Sequence, residues 1–302
     1  AAAGRALAPL LHSAPSAMPA EPPISRLAFG SCRKQYKAQP IWDAVAAQKP
    51  DVWVWTGDAV YVKRGPSPET LRAAHRDANA DENYRALVKS VRHVEGTWDD
   101  HDYGPNDGGK HWAHKEVARQ IFLDEALGAP ADSPRRTQAG GLYSSRTYGA
   151  AARNVKLINL DTRFSRDDAV IPSPGASPHL PKPGYVAAAL RLLCAVTGYG
   201  ADHDGDVLGE EQWAWLRREL TNSTAAAHLI VSSIQVLTTS PVVESWGHYP
   251  RSRRRLLELL RETRASGALL LSGDVHHAEL MGVRGLASAA PPTNARDAAL
   301  EA

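Results

Sequence analysis

The sequence predicts an α/β domain in which helices cover a largely β interior. Two observations carry this: strand-like apolar runs alternate with helical periodicity, and neither a fixed-period repeat nor a linker divides the 302 residues. That length is ample for one large buried core.

The elements follow in order. RLAFGSC is a short apolar run closed by small residues, and IWDAVAAQ repeats apolar residues at helical spacing. VWVWTGD is a β-branched and aromatic strand ending in Gly57 and Asp58, and a helix is expected from about Pro68 to Val91 with proline near its start. HVEGTWDDHD reads as a third strand running into the turn-forming YGPNDGG. KEVARQIFLDEAL then places Val117, Ile121 and Leu127 on roughly one helical face. LYSSRTYG and NVKLINLDTRF read as adjacent strands. The prolines at 172, 174, 178, 181 and 183 make Phe164 to Tyr185 a long loop, framing a cleft together with Glu244 to Arg251. The last third reads as helix LGEEQWAWLRREL, strand HLIVSSIQVL, helix RSRRRLLELLRE and strand GALLLSGDVHHAEL.

Composition narrows the function classes. Hydrophobic residues at 43% and charged residues at 23% exclude wholesale disorder. Lys plus Arg total 35 against 33 Asp plus Glu, so no nucleic-acid partner is indicated. The two cysteines, Cys32 and Cys194, suggest no disulfide framework, and Cys194 reads as core. No apolar run approaches the roughly 20 residues of a transmembrane helix; the Ala-rich Tyr185 to Val196 stretch is interrupted by Arg191. Residues 1–23 read as a disordered or targeting remnant and 285–302 as a disordered tail, around a domain at 24–284.

Four strand ends each carry a group able to bind a hard metal ion: Cys32, Asp58 with Tyr61, the run Asp99 to Asp102, and Asp274 with His276. The carboxyl ends of strands in an open α/β sheet converge on one edge, so these groups become neighbours. Each has a plain reading alone: a Gly-Asp turn, a small buried thiol, a solvated acidic turn. WDDHD argues against the plain reading, because three carboxylates and an imidazole in four residues repel one another unless a cation or solvent relieves them. In an extended chain Asp274 and His276 share one face. Carboxylates, a phenol and an imidazole are the ligand set of hydrolytic two-metal centres, which makes phosphoester hydrolysis the natural chemistry.

Taken in order from about Leu27 to Leu280, the motifs FGSC, TGDAVY, GTWDDHDYGPND, LDTR, LGEEQWAWL, VSSIQV and SGDVHHAEL make the chain resemble the alkaline phosphatase D (PhoD-like) family of the calcineurin-like metallophosphatase superfamily. The resemblance implies a four-layer sandwich of two mixed sheets flanked by helices. It implies a metal-dependent phosphoric ester hydrolase, a phosphomonoesterase or phosphodiesterase using metal-activated hydroxide, with Fe(3+) and Ca(2+) as cofactors and other divalent metals open. Cys32, Asp58, Tyr61 and His276 would hold the first metal. Asp58 would bridge to a second held by Asp100 and Asp274. His101 would protonate the leaving oxygen, as an imidazole can near neutral pH, and Asp102 would orient it. Gln235 would contact metal or phosphate, and Arg163 either clamps a phosphoryl oxygen or makes a structural pair. Asp99 receives no role. The partner expected is a phosphate mono- or diester, small molecule or lipid, and a secreted, endomembrane or organellar location is expected over a nuclear one. Relative to the family pattern the chain ends soon after SGDVHHAEL and shows no N-terminal β-domain, so a C-terminal truncation is expected. The alternative is a non-catalytic metal- or phosphate-binding fragment, with a nuclease third.

Overall fold

The strand Val52–Thr56 (β2) is buried along its whole length, as an uninterrupted Val/Trp run dictates: both faces must be covered. It lies between β1 (Leu27–Gly30) and β3 (His93–Thr97), all parallel. The computed structural model describes residues 21–62, 65–150, 153–171 and 183–283. A second sheet orders β4 (Ser144–Tyr148), β5 (Val155–Asn159), β6 (Ala227–Val231) and β7 (Ala268–Leu271), with β4 antiparallel to β5 and the rest parallel. Of the two sheets, both expected to be mixed, the second is so; the first is parallel throughout among the described residues.

Side-chain alternation builds the layers. Val52 and Val54 meet Tyr148, Leu157, Val231 and Leu271 between the sheets. Trp53 and Trp55 point the other way, onto Trp42, Tyr84 and Leu87. Those residues belong to α1 (Ile41–Ala47) and α3 (Glu82–Ser90), which α2 (Pro68–Asn79) and α5 (Lys115–Glu125) join on that side. On the opposite flank Ile158 and Ile230 pack against Trp213 and Leu216 of α7 (Glu210–Thr221) and Leu256 of α8 (Pro250–Thr263). Helices, sheet, sheet and helices are the four layers of the expected sandwich.

Several expectations change. The single helix over 68–91 is two, because Asp81 leaves the helix and caps the next one, its Oδ1 accepting the Tyr84 N–H at 2.8 Å. HVEGTWDDHD stops being strand at Thr97, and Asp100–Tyr103 form a one-turn helix, α4. β6 ends at Val231 and β7 at Leu271, four and five residues before Gln235 and His276 respectively. Asp274 and His276 stand in left-handed backbone (φ 70° and 59°), so they do not alternate along a strand. Pro183–Thr197, read as loop and then as an Ala-rich stretch, is a helix, α6. No helix among the described residues is long and apolar enough to cross a membrane. The expected N-terminal remnant and C-terminal tail lie almost wholly outside the described residues, as does half of the proline-rich loop, 172–182.

Candidate metal centre

Every parallel strand delivers a polar segment to the same edge: Cys32 after β1, Asp58 after β2, Asp99 and Asp100 after β3, Arg163 after β5, Ser233 after β6 and Asp274 and His276 after β7. Among the described non-glycine residues seven have positive φ, and four are Cys32, Asp58, Asp274 and His276. Backbone strain is thus concentrated where these side chains converge, which is where function tolerates it. Gly57 makes room for this convergence. At its φ of 98° a Cβ would sit 2.5 Å from the Cβ of Asp99.

Asp58, 1% exposed, is the hub. Its ligand atoms form close groups, within 4.8 Å of one another, with Cys32 and His276, with Asp100 and His101, and with Asp99 and Asp274. Tyr61 donates its hydroxyl to Asp58 Oδ2 at 2.7 Å and lies 2.8 Å from His276 Nε2, bridging the first group. Its ring stacks at 4.2 Å on that of His101, whose backbone N–H donates to Asp58 Oδ1 at 3.3 Å. Of the residues assigned to a second metal, Asp100 and Asp274 fall in different groups, and Asp99 accompanies Asp274.

The electrostatics fit cations. Burial, then the carboxylates of Asp100 and Asp99, push Asp58 well above the ordinary carboxylate range. Burial, then Asp99 and Glu244, do the same to Asp274. Burial raises Cys32, and burial with the Asp58 charge raises Tyr61, so neither ionises readily without a positive partner. Asp99 Oδ2 and Asp100 Oδ1 are buried and have no hydrogen-bond partner among the described residues. Paired carboxylates with unused, desolvated oxygens are suited to hold a hard cation, and the residues fit one. The fourth group, Asp100 with Asp107 and Glu244, differs because Arg191 compensates Asp107 and Arg163 and Arg166 compensate Glu244.

The remaining expected residues support the cluster. Asp102 does not orient the His101 imidazole: its oxygens accept the Val60 N–H at 3.0 Å and the Asp99 N–H at 3.2 Å, fixing the two strand-end loops to each other. Arg163, wholly buried, donates from Nε to Asp99 Oδ1 at 2.5 Å and from both terminal nitrogens to Glu244 at 2.9 Å. Of its two readings the structural pair is the one seen. Gln235 lies beyond β6 in an isolated bridge to Ser245, its Oε1 buried and without a partner among the described residues. LDTR and LGEEQ are joined by the Gln212 amide, which accepts from Asp161 N and donates to Asp161 O, both at 2.8 Å. Sequence reasoning placed Asp99 in the metal-binding run but gave it no role of its own, placed Glu244 only at the start of a segment framing the cleft, and missed Asp107, Arg166 and Lys34, the last with its ammonium 5.6 Å from the Tyr61 ring. For Asp99 the signal was present in the repelling run WDDHD; for the pairing of Glu244 with Arg163 there was none.

The family model for PhoD-like phosphatases matches residues 27–296. The chain belongs to the PhoD-like phosphatase family. It is 25% identical over 291 residues to the alkaline phosphatase D of Bacillus subtilis (strain 168), a match covering 84% of this chain and 46% of that one. A solved structure described as "Structure of PhoD" superposes with a TM-score of 0.61 at 22% identity, over 85% of this chain and 52% of the other, a likeness of fold. The chain therefore spans about half the length of the curated relative it matches.

Proposed function

We propose that this chain is a metal-dependent phosphoric ester hydrolase, acting on phosphomonoesters or phosphodiesters, whose two cations share Asp58. The observation that carries the reading is that Asp58 belongs to three ligand groups at once. Cys32, Asp58, Tyr61 and His276 would hold a first cation, for which thiolate and phenolate suit Fe(3+). Asp58, Asp99 and Asp274, with Asp100 alongside, would hold a second for which carboxylates suit Ca(2+). When bound, the cations would supply an activated water as nucleophile and neutralise charge on the phosphoryl oxygens.

The chain's own residues do the rest. His101, held by stacking on Tyr61, protonates the departing alcohol oxygen. Arg163 aligns Asp99 and offsets part of the burial that raises its carboxyl above the ordinary range, Asp102 holds the loops carrying Asp58 and Asp99 together, and Lys34 adds positive charge at the Tyr61 side. Membership of the phosphatase family agrees with this chemistry. The test is turnover of para-nitrophenyl phosphate and bis-para-nitrophenyl phosphate by the metal-loaded chain. Wild type should hydrolyse at least one, Asp58→Asn should lose activity at least a hundredfold, and undiminished turnover in Asp58→Asn would overturn the reading. Because the chain spans only about half of its curated relative, the alternative is a metal-binding fragment without turnover. That alternative predicts stabilisation by metal and no hydrolysis of either ester.

A further inference from the structure

On the Asp100 side of the centre lies a cavity of about 560 Å³, walled by the Pro105 to Gly109 loop, the segment after Arg166, α6 and residues 238–249. Asp107 and Glu244 wall the corner that meets Asp100, and the Asp107 N–H donates to Asp100 Oδ2 at 2.7 Å. Beyond that corner the lining includes Val170, Ile171, Leu190, Cys194, Ala195 and Tyr249. Cys194, expected in the core, is thus a half-buried wall residue.

Charge decides what such a cavity can take. At the corner facing Asp100, Arg191 pairs with Asp107 at 2.9 Å and Arg166 pairs with Glu244, so these groups compensate one another. Beyond that corner the lining is mixed, with Asp168, Thr238, Ser240, His248 and Arg253 beside the apolar side chains; it is the apolar stretch along Val170, Ile171, Leu190 and Ala195 that favours an uncharged, apolar group, and the volume is that of a ligand site. A second opening, of about 630 Å³ on the Cys32 side, mixes Ile41, Trp42, Trp53 and Trp55 with Cys32, Lys34, Lys37, His276 and His277. The apolar lining also continues outward. Of α6's described side chains only Ala187 is buried, while Leu192, Leu193 and Val196 are exposed, as is Tyr199, which follows the helix and also lines the cavity. An apolar surface therefore runs from solvent into the cavity and ends at the charged corner of Asp107, Arg191, Arg166 and Glu244 that borders Asp100.

We propose that this cavity holds an alcohol portion of the phosphoester, and that this alcohol carries an apolar alkyl body. The proposal rests on the phosphoester reading given above. Hydrolysis adds water across the P–O bond, hydroxyl to phosphorus and proton to the released alcohol, so the alcohol leaves uncharged and compatible with apolar walls.

The experiment compares kcat/KM of the metal-loaded chain for dodecyl para-nitrophenyl phosphate and methyl para-nitrophenyl phosphate. It is repeated in Cys194→Phe and, should that variant fold poorly, in Ala195→Phe, with 1-decanol binding followed by calorimetry as a readout independent of turnover. Wild type should favour the dodecyl ester at least tenfold, and each filled cavity should reduce that ratio, and decanol affinity, at least tenfold. A wild-type ratio near one, or a ratio and decanol affinity unchanged by the substitutions, overturns the proposal. Absent turnover of both esters, with decanol binding in wild type and lost in the variants, overturns the phosphoester reading while supporting the cavity's preference for an apolar group.

Discussion

Arg163→Met tests whether the cluster is held by a buried charge network. The guanidinium is wholly buried and makes three charge-assisted hydrogen bonds, one at 2.5 Å to Asp99 and two at 2.9 Å to Glu244. Its loss leaves Glu244 with Arg166, and leaves Asp99 with Ser233. Removing one member of a buried ion pair costs about 3–5 kcal/mol, because the partner charge stays buried. That is a large part of a typical stability of about 5–15 kcal/mol, and at about 2–4 °C per kcal/mol it lowers Tm by roughly 6–20 °C. The sign with pH follows from Glu244. Burial alone would raise it, but Arg163 and Arg166 outweigh burial and hold it well below 4.5. In wild type its contribution is present above pH 4.5 and lost as pH falls through the lowered value. Without Arg163 both carboxylates titrate higher, so the variant's deficit should be largest near neutral pH and narrow toward pH 5. Urea unfolding at pH 7.5 and 5.5 reads this directly. Arg163→Met combined with Glu244→Leu should recover part of the loss. A deficit below about 1 kcal/mol, or one that does not change with pH, would refute the reasoning.

Three further outcomes are expected. Burial, with Arg33 adding to it, holds His75 down to about 3, and its Nε2 has no partner among the described residues. The ring stays neutral in the fold and gains a proton on unfolding below pH 6.5, so stability should fall as pH drops toward 3, by up to about 1.4 kcal/mol per unit. His75→Leu should flatten that slope in urea titrations at pH 7.5, 6 and 5, and an unchanged slope would contradict the assignment. Gly57→Ala, at φ 98° and 2.5 Å from the Asp99 Cβ, should displace Asp99 and weaken metal uptake at least tenfold by calorimetry; wild-type affinity would show that the close approach is not needed. Cation uptake should release protons and weaken as pH falls, because Asp58 and Asp274 sit above their ordinary range; affinity independent of pH between 8 and 6 would count against the cluster as the binding site.

The parts legible in the sequence share a cause. VWVWTGD and ALLLSGD show an apolar strand run closed by small residues and a carboxylate, so local pattern alone carries the ligand to the strand end. Asp99 against Asp100 could not be decided this way. Adjacent residues at the start of a helical turn point roughly 100° apart, and only the fold determines which meets Asp274. The shared face for Asp274 and His276 failed because β7 ends at Leu271 and the chain turns through left-handed backbone. Asp102 was misread for a similar reason: proximity to His101 in sequence says nothing of the two backbone N–H groups that take its oxygens. The break at Asp81 was readable as a helix cap. The Arg163–Glu244 pair joins residues 81 positions apart and left no local trace.

The central claim is that two cations share Asp58, and metal stoichiometry tests it most directly. Elemental analysis of the purified chain, with Asp58→Asn and Asp99→Asn prepared in parallel, should give two ions in wild type. Asp99→Asn should lose one and Asp58→Asn should lose both or retain only a fraction of one. Two ions still bound in Asp58→Asn would contradict the account.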